Sequence, residues 1–368
     1  MKYLFFSSAL LSALFFLLLV SKKNKQFEHK FLSLLFFLIT LNSIYVFQFF
    51  RNMRYMDFYH VPYFSELNYA IPLLYGPLLW FYTRALTNIN FSFKGKDYLH
   101  FGPFVIFLLL IISPLFTGVD ILISKHVGYP LIKLIITPFY LFSVLLILQN
   151  YRQQLKNAYS YTMKINLYWL SWITLGAVIL WVIATLGFCF NTFSGSPKTL
   201  LYDYYVLSFL GVFLFALAFV AFRRTDIFTQ SMEDLSPKKI DFESLEPPKE
   251  VKIEEHNPIE LERLQKVMME EKPYLDPLLS INKLAEVAKI PQYKISKMLN
   301  NSLNQNFYDF VNGYRIEEIK TRLKNGEAES FSILGIAMDS GFNSKASFNR
   351  VFKKMTGETP STYLKSLN

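Results

Sequence analysis

Apolar runs of nearly equal length fill the first 224 residues and restrict the possible folds more than any other feature of the sequence. Seven such runs occur, and each has about the 20 residues that a helix needs to cross a bilayer. They comprise residues 3–20, 31–50, 64–86, 98–117, 130–150, 166–190 and 201–222. Because a bilayer interior offers no hydrogen-bond partners to an open backbone, this pattern predicts a polytopic transmembrane helix bundle over residues 1–224.

The composition agrees with a membrane domain and argues against catalysis or metal binding. Hydrophobic residues make up 52% of the chain and charged residues only 18%, and the apolar excess lies before Arg223. The single cysteine, Cys189, lies in an apolar run, so we expect no intrachain disulfide and no Cys/His metal site. The runs hold no paired carboxylates on one helix and no Ser/His set, so we expect neither a catalytic site nor a cofactor.

Basic residues near the ends of the runs predict how the chain is oriented. The first run has only Lys2 before it but Lys22, Lys23 and Lys25 after it, so we interpret it as a retained span rather than a cleaved signal peptide. With seven spans, the loops richer in lysine and arginine lie on the same side as the C-terminus. The sequence thus predicts a multi-pass protein of the bacterial inner membrane, with its N-terminus outside and its C-terminus cytoplasmic.

Three ionisable residues, Glu66, Lys133 and Asp203, fall near the outward ends of their runs in this topology. Charged groups at membrane depth are costly and often mark a path for a ligand or an ion. One interpretation is an outward-facing pocket in which Lys133 pairs with Glu66 or Asp203 and an external ligand alters that pair. The other is that these side chains reach the interface, beside tyrosines of an aromatic belt. The sequence leaves both interpretations open.

The composition changes sharply after Phe222. Residues 225–256 are acidic and interrupted by Pro237, Pro247 and Pro248, which is typical of an extended cytoplasmic linker. Residues 277–368, by contrast, carry five more basic than acidic side chains, which suits binding to phosphates. The third region, residues 257–368, begins with a predicted helix and is expected to be a soluble all-α domain.

The end of the chain shows the pattern of a helix-turn-helix unit. Ser332 is placed to cap a short helix with one apolar face, and Gly341 permits a turn with positive φ. Residues 345–355 then form an amphipathic helix, with apolar side chains on one face and basic or amide side chains on the other. The alternative is a solvated amphipathic helix in another kind of α-domain.

A similar pattern occurs earlier in the same region. Ser280 is placed to cap a helix over residues 281–288, and Pro291 opens the next helix at its first position, where the missing N–H costs nothing. A long helix over residues 307–323 connects this first unit to the second. The sequence of this region therefore predicts two helix-turn-helix units joined by one helix.

Together these stretches closely resemble the DNA-binding domain of AraC/XylS-type regulators, over residues 258–367. The residues that carry the resemblance are Gly341-Phe342, Phe348, Arg350, Phe352-Lys353-Lys354, Gly357, Thr359-Pro360 and Tyr363, with Asn306-Phe307-Tyr308-Asp309-Phe310, Tyr314-Arg315-Ile316 and Lys320 in the joining helix. The resemblance implies two rigidly joined units whose second helices enter successive major grooves, roughly 34 Å apart. Pro291 departs from the family pattern, because many relatives have a capping serine there.

The polar residues of the two second helices are the predicted DNA contacts. Arginine, lysine, asparagine and glutamine side chains can pair with base edges in the major groove or with phosphates. The predicted contacts are Gln292, Tyr293, Lys294, Ser296 and Lys297 in the first unit and Lys345, Ala346, Asn349 and Arg350 in the second.

The sequence therefore predicts a membrane-anchored, one-component transcriptional regulator that binds double-stranded promoter DNA. Its membrane domain would sense an external or membrane-borne ligand, and control through a homodimer is one option. In a first alternative the membrane domain is only an anchor, although seven spans exceed what anchoring needs. In a second alternative a membrane transporter or enzyme is fused to the regulator, although the runs show neither a catalytic set nor transporter-like internal repeats.

Overall fold

The computed structural model describes residues 2–21, 27–52, 70–88, 90–117, 128–162, 166–193 and 258–367. Within these residues the secondary structure is helical apart from one isolated β-bridge, so the all-α prediction is confirmed for this part of the chain. The chain divides into two compact units. The first comprises Met1–Gln149 and Leu167–Lys239, and the second comprises Asn150–Asn166 and Ile240–Asn368.

Apolar α-helices make up the described part of the first unit. They are α1 (Lys2–Val20), α2 (Phe27–Asn52), α3 (Tyr75–Thr87), α4 (Gly102–Thr117), α5 (Gly128–Ala158) and α6 (Tyr168–Phe193). Helix α5 continues past the predicted end of its run at residue 150, and its last nine residues, 150–158, belong to the second unit.

Helices α1 and α2 pack against each other in antiparallel fashion. Phenylalanine pairs join them, with ring centroids 5.2–5.4 Å apart. Phe6 near the start of α1 contacts Phe47 near the end of α2, whereas the neighbouring pairs Phe15 with Phe36 and Phe16 with Phe37 lie later in α1 and earlier in α2. The Thr40 hydroxyl also donates a 2.9 Å hydrogen bond to the Ser12 hydroxyl. A polar contact between two apolar helices fixes their register, because dispersion contacts alone are not directional.

Three described helical segments are long and apolar enough to cross a membrane: Phe27–Gln48, Leu134–Ala158 and Tyr168–Phe190. Segment Phe5–Val20 is apolar but shorter. The predicted seven spans are therefore not all found in the described residues. The run at residues 201–222 lies outside them, and the run at 64–86 lies only partly inside them.

Prolines explain why two predicted runs form shorter α-helices than their apolar length suggests. Helix α3 follows a 3₁₀ turn, Ile71–Leu74, and carries Pro77 in its first turn. Helix α4 follows another 3₁₀ segment, Gly95–Phe101, and carries Pro103 at its second position. Proline lacks an N–H donor and fits best in the first turn of a helix, where no donor is needed, which agrees with the start of each α-helix just before its proline.

The described part of the second unit contains seven further α-helices. They are α7 (Pro258–Glu270), α8 (Ile281–Ala288), α9 (Gln292–Lys297), α10 (Phe307–Lys324), α11 (Ile333–Asp339), α12 (Lys345–Thr356) and α13 (Pro360–Leu367). Helix α10 is the predicted joining helix, and α8–α9 and α11–α12 are the two predicted helix-turn-helix units.

Two hydrophobic clusters form the core of the second unit, and α10 contributes to both. Phe307, Phe310 and Val311 face the cluster around α8 and α9. Ile319 and Leu323 face the cluster around α11 and α12. Because one helix is buried on two sides, the helix-turn-helix units are held in a fixed relation to each other.

We expect Ile319→Ala to destabilise the second unit by about 2–5 kcal/mol, because the Ile319 side chain is fully buried and its removal leaves a cavity. Thermal or urea unfolding would measure the loss of stability, and hydrogen exchange of the amides in α10 would show whether the loss lies in this helix. Thr321→Ala on the exposed side of the same helix is the matched control and should change stability by less than about 0.5 kcal/mol. Equal effects of the two substitutions would contradict the described core.

Candidate nucleic-acid interface

The turn between α11 and α12 depends on a glycine. The Ser332 hydroxyl accepts a 3.0 Å hydrogen bond from the Gly335 N–H, which confirms the predicted cap of α11. Gly341 then leaves that helix with φ of +94°, and a Cβ at this position would overlap the Tyr274 carbonyl oxygen and lie 2.7 Å from Arg315 Nε. Only glycine meets both conditions, because L side chains rarely adopt positive φ and no space is left for a methyl group.

Helix α12 presents a dry face and a solvated face, as predicted. The hydroxyl of Ser344 accepts from the Ser347 N–H at 3.2 Å and caps the helix. Phe348, Val351 and Phe352 are buried in the core. The exposed side chains lie together on the opposite side and are Lys345, Ala346, Asn349, Arg350, Lys353 and Lys354. This face combines positive charge with an amide, which suits phosphates and base edges.

Two of these exposed basic side chains also contact α10. Lys354 Nζ lies 2.7 Å from Asp309 Oδ1, and Arg350 Nη2 donates a 3.3 Å hydrogen bond to the Tyr308 hydroxyl. These contacts orient α12 relative to the joining helix. The Arg350 guanidinium is consequently held in place before any ligand arrives, which lowers the entropy lost on binding.

The first unit begins as predicted and then departs from the prediction. The Ser280 hydroxyl accepts from the Lys283 N–H at 3.4 Å, and Lys289 ends α8 in the left-handed region with φ of +52°. Pro291 is the N-cap of α9 and not its first residue, which corrects the prediction by one position. Its ψ of 139° keeps it extended, and its carbonyl oxygen accepts from the Lys294 and Ile295 N–H groups.

Helix α9 is short and its polar side chains are less exposed than those of α12. After six residues it widens into a π-helical turn, Met298–Ser302, which the sequence pattern did not indicate. The predicted contacts Gln292, Tyr293, Lys294, Ser296 and Lys297 are all half-buried.

Lys294 and Ser296 on α9 are engaged within the domain. Lys294 Nζ lies 2.7 Å from Glu260 Oε1 on α7, and the Ser296 carbonyl oxygen accepts from Asn300 Nδ2 at 2.9 Å. Lys294 must break an ion pair before it reaches a phosphate. All nine residues remain predicted DNA contacts.

Arg315 on α10 is the structural centre of the domain, a role that its place in the motif Tyr314-Arg315-Ile316 did not indicate. The residue is 1% exposed. Its Nε donates to the Tyr274 carbonyl at 2.7 Å, and its Nη1 donates to Asn312 Oδ1 at 3.1 Å. Its Nη2 donates to the Asp276 carbonyl at 2.7 Å and to the Ser160 hydroxyl at 3.2 Å. An arginine amid apolar periodicity in α10 was the available signal, since a buried charge requires partners.

Protonation of this centre is secure at neutral pH. Burial lowers the pKa of Arg315 to about 10, although the Asp276 carboxylate opposes that effect. Partial burial of Asp276 raises the pKa of its carboxyl, but hydrogen bonds from the Lys283 side chain and the Leu278 N–H outweigh it and leave the pKa below its ordinary value. Both groups are therefore charged, and the guanidinium keeps all its donors.

The side chains of the predicted membrane pocket lie outside the part of the chain that the structure describes. Glu66 and Asp203 lie outside the described residues, and so does the side chain of Lys133. The pocket and its rival, an interfacial aromatic belt, both stay predictions. Among the described residues, no group of three or more His, Cys, Asp or Glu side chains is placed to hold a metal ion.

Comparison with known proteins identifies the C-terminal domain. Residues 284–366 match the family model described as a helix-turn-helix domain. This part of the chain is a helix-turn-helix domain. The match covers α9 to α12 completely and overlaps α8, so it includes the joining helix and reaches both units.

Curated relatives match the chain over a short stretch. Uncharacterized HTH-type transcriptional regulators of Staphylococcus aureus strains COL, MSSA476 and N315 are each 38% identical to the chain over 85 residues. The alignment covers 23% of this chain and 11% of each relative, so the chain spans about a tenth of the length of the relatives it matches. No solved structure matches the chain.

We expect Gly341→Ala to destabilise the domain by more than about 2 kcal/mol, because strain from positive φ adds to overlap with the Tyr274 carbonyl. Gly357→Ala is the matched control. Its φ is +85°, but no atom lies within 4 Å of the added methyl group, so it should cost only about 1 kcal/mol. Thermal unfolding of both variants measures the difference, and equal losses would contradict the close approach at Gly341.

Proposed function

We propose that the chain is a membrane-anchored, one-component transcriptional regulator that binds promoter DNA through two helix-turn-helix units. The observation that carries this proposal is the exposed face of α12, where Lys345, Asn349, Arg350 and Lys353 stand together on a helix that a turn and a buried opposite face hold rigid. This is the arrangement with which a recognition helix reads a major groove. The shared helix-turn-helix domain of the curated regulators supports it.

The joining helix supports binding by both units at once. Helix α10 is buried against both cores, so α9 and α12 cannot reorient independently. A rigid pair of recognition helices fits two short sequence boxes about one helical turn, roughly 34 Å, apart on one face of the duplex. We therefore expect the AraC/XylS-type mode of binding implied by the sequence resemblance.

A membrane location is the second part of the proposal, and one contact supports its topology. Ser160 touches Arg315, so the loop after α5 lies on the same side of any membrane as the helix-turn-helix domain. An even number of crossings must then separate residue 162 from residue 258. Helix α6 supplies one candidate span, and the apolar run at residues 201–222 is the sequence prediction for the other. Since DNA is cytoplasmic, this loop and the C-terminus would face the cytoplasm and the N-terminus the outside.

Control by a signal is the third part. We propose that the membrane domain senses an external or membrane-borne ligand, and that this changes DNA binding or the assembly of a homodimer. A mere anchor would leave promoter occupancy unchanged when the membrane domain is replaced by unrelated spans.

The experiment that tests the function is a genome-wide map of DNA bound to the full-length protein in cells. We expect occupancy of a defined promoter with two boxes about one turn apart. A companion strain in which unrelated spans replace residues 1–149 and 167–224 distinguishes the sensor from the anchor. If the full-length protein occupies no defined site, the regulator proposal is wrong.

We expect Arg350→Ala to weaken binding to the recovered promoter fragment by about 1–3 kcal/mol, the usual value of one good contact. Tyr308→Phe keeps the guanidinium but removes its hydrogen bond to α10, and so separates positioning from contact. Lys266→Ala is the control, because this residue on α7 is 69% exposed and its removal changes the charge equally. Titration of labelled duplex at moderate salt measures all three, and equal losses for Arg350→Ala and Lys266→Ala would contradict the assignment.

A further inference from the structure

A short segment after the fifth helix is built into the DNA-binding domain. Residues 158–162, which we name the strap, comprise the last residue of α5 and the four residues after it. They belong to the same compact unit as the helix-turn-helix domain. Ala158 and Ser160 are each 2% exposed. A loop between two apolar helices is normally solvated, so burial of this kind requires specific partners.

Hydrogen bonds to Ser160 fix the position of the strap. Its N–H and its hydroxyl both donate to the Leu279 carbonyl oxygen, at 3.2 and 2.8 Å. Its hydroxyl accepts from Arg315 Nη2 at 3.2 Å, and its carbonyl oxygen accepts from Asn312 Nδ2 at 3.3 Å. One serine thus joins the segment before α8 to the joining helix α10.

Apolar contacts extend this attachment into the first core. Ala158 is part of the hydrophobic cluster that contains Leu264, Leu284 and Phe310, and the half-buried Tyr159 packs against the same cluster. Tyr159 also forms an antiparallel β-bridge with Ser280, the residue that caps α8. Removal of the strap would therefore expose core residues of the first helix-turn-helix unit and loosen the start of α8.

The attached strap does not cover the candidate DNA-binding face. Lys345, Asn349 and Lys353 on α12 are exposed with the strap in place. The strap instead completes the first core and supplies a hydrogen-bond partner to Arg315. The Cζ atom of Arg315 also lies 5.8 Å from the centroid of the Phe342 ring, in the turn of the second helix-turn-helix unit. It supports the arrangement of both units rather than blocking their surface.

We propose that the strap is the element through which the membrane domain controls the DNA-binding domain, and that its release weakens DNA binding. The surface that holds it, formed by Leu279, Ser280, Asn312 and Arg315, takes residues 158–162 of the same chain. This inference rests on the proposed function. Helix α5 is continuous from Gly128 to Ala158 and contains a candidate span, so a shift of that span moves Ser160 directly.

Cleavage of the linker in the full-length protein tests whether the strap holds the domain. A protease site inserted after Leu245 would be cut in protein reconstituted in phosphatidylcholine vesicles. We expect the C-terminal fragment to remain with the vesicles, because the strap still binds it. The same fragment added to empty vesicles shows how much the lipid alone retains. Immediate release of the fragment from the vesicles at moderate salt would contradict the proposal that the strap holds the domain.

Variants at the strap test the contacts themselves. Ser160→Ala should speed release by roughly ten-fold, since it removes a buried hydrogen bond to a charged group. Ser143→Ala on the same helix is the matched control, because its exposed hydroxyl bonds only to the Phe139 carbonyl. Tyr159→Cys with Ser280→Cys, in a Cys189→Ser chain, should form a disulfide that prevents release, with Ser280→Cys alone as the control for the lost cap. Failure of this pair to cross-link would also overturn the strap.

The DNA arm of the experiment tests the coupling. The probe is the promoter duplex recovered with the full-length protein. Because linkage between two binding equilibria is reciprocal, the duplex should increase the fraction of the fragment that is retained, and Ser160→Ala, which weakens binding of the strap, should also weaken binding of the duplex. Faster release in the presence of the duplex would show that strap and DNA compete, which would overturn the proposed direction. Retention without binding of any duplex would support the strap and reject the proposed function, so the two failures are distinguishable.

Discussion

A buried guanidinium organises the DNA-binding domain. Arginine carries five N–H donors in a rigid fork, and a charge in a dry core is tolerated only when those donors are matched. At Arg315 the partners come from three separate parts of the chain: the segment before α8, helix α10 itself and the loop after α5. The side chain also limits the space at Gly341, so the turn of the second unit forms around it.

Much of this domain could be predicted because its signals are local. A serine before an apolar helix must satisfy free N–H groups, and Ser280, Ser332 and Ser344 do so. A glycine after such a helix indicates positive φ, and Gly341 and Gly357 have it. The exposed face of α12 follows from spacing alone. Each of these features depends on residues within about one helical turn.

The remainder depends on contacts between residues that are distant in sequence. Ser160 and Arg315 lie 155 positions apart, and no periodicity links them. The pairing of Lys294 with Glu260 likewise joins α9 to α7, so a predicted DNA contact proved to be engaged elsewhere. In the apolar half, hydropathy measured the length of each run, but the positions of Pro77 and Pro103 decided where its α-helix begins. In these two runs, the apolar length therefore overestimated the length of the α-helix.

The strap and the surface that holds it belong to one polypeptide, and this affects how easily the two separate. Docking within a single chain depends on effective concentration, which reaches millimolar values for short flexible connections and falls only as about the −3/2 power of their length. Doubling such a connection costs roughly 0.6 kcal/mol. We therefore expect insertions into the predicted linker, residues 225–256, to be tolerated far better than the loss of one oxygen atom at Ser160. For the same reason, a second copy of the chain competes poorly for the surface that holds the strap.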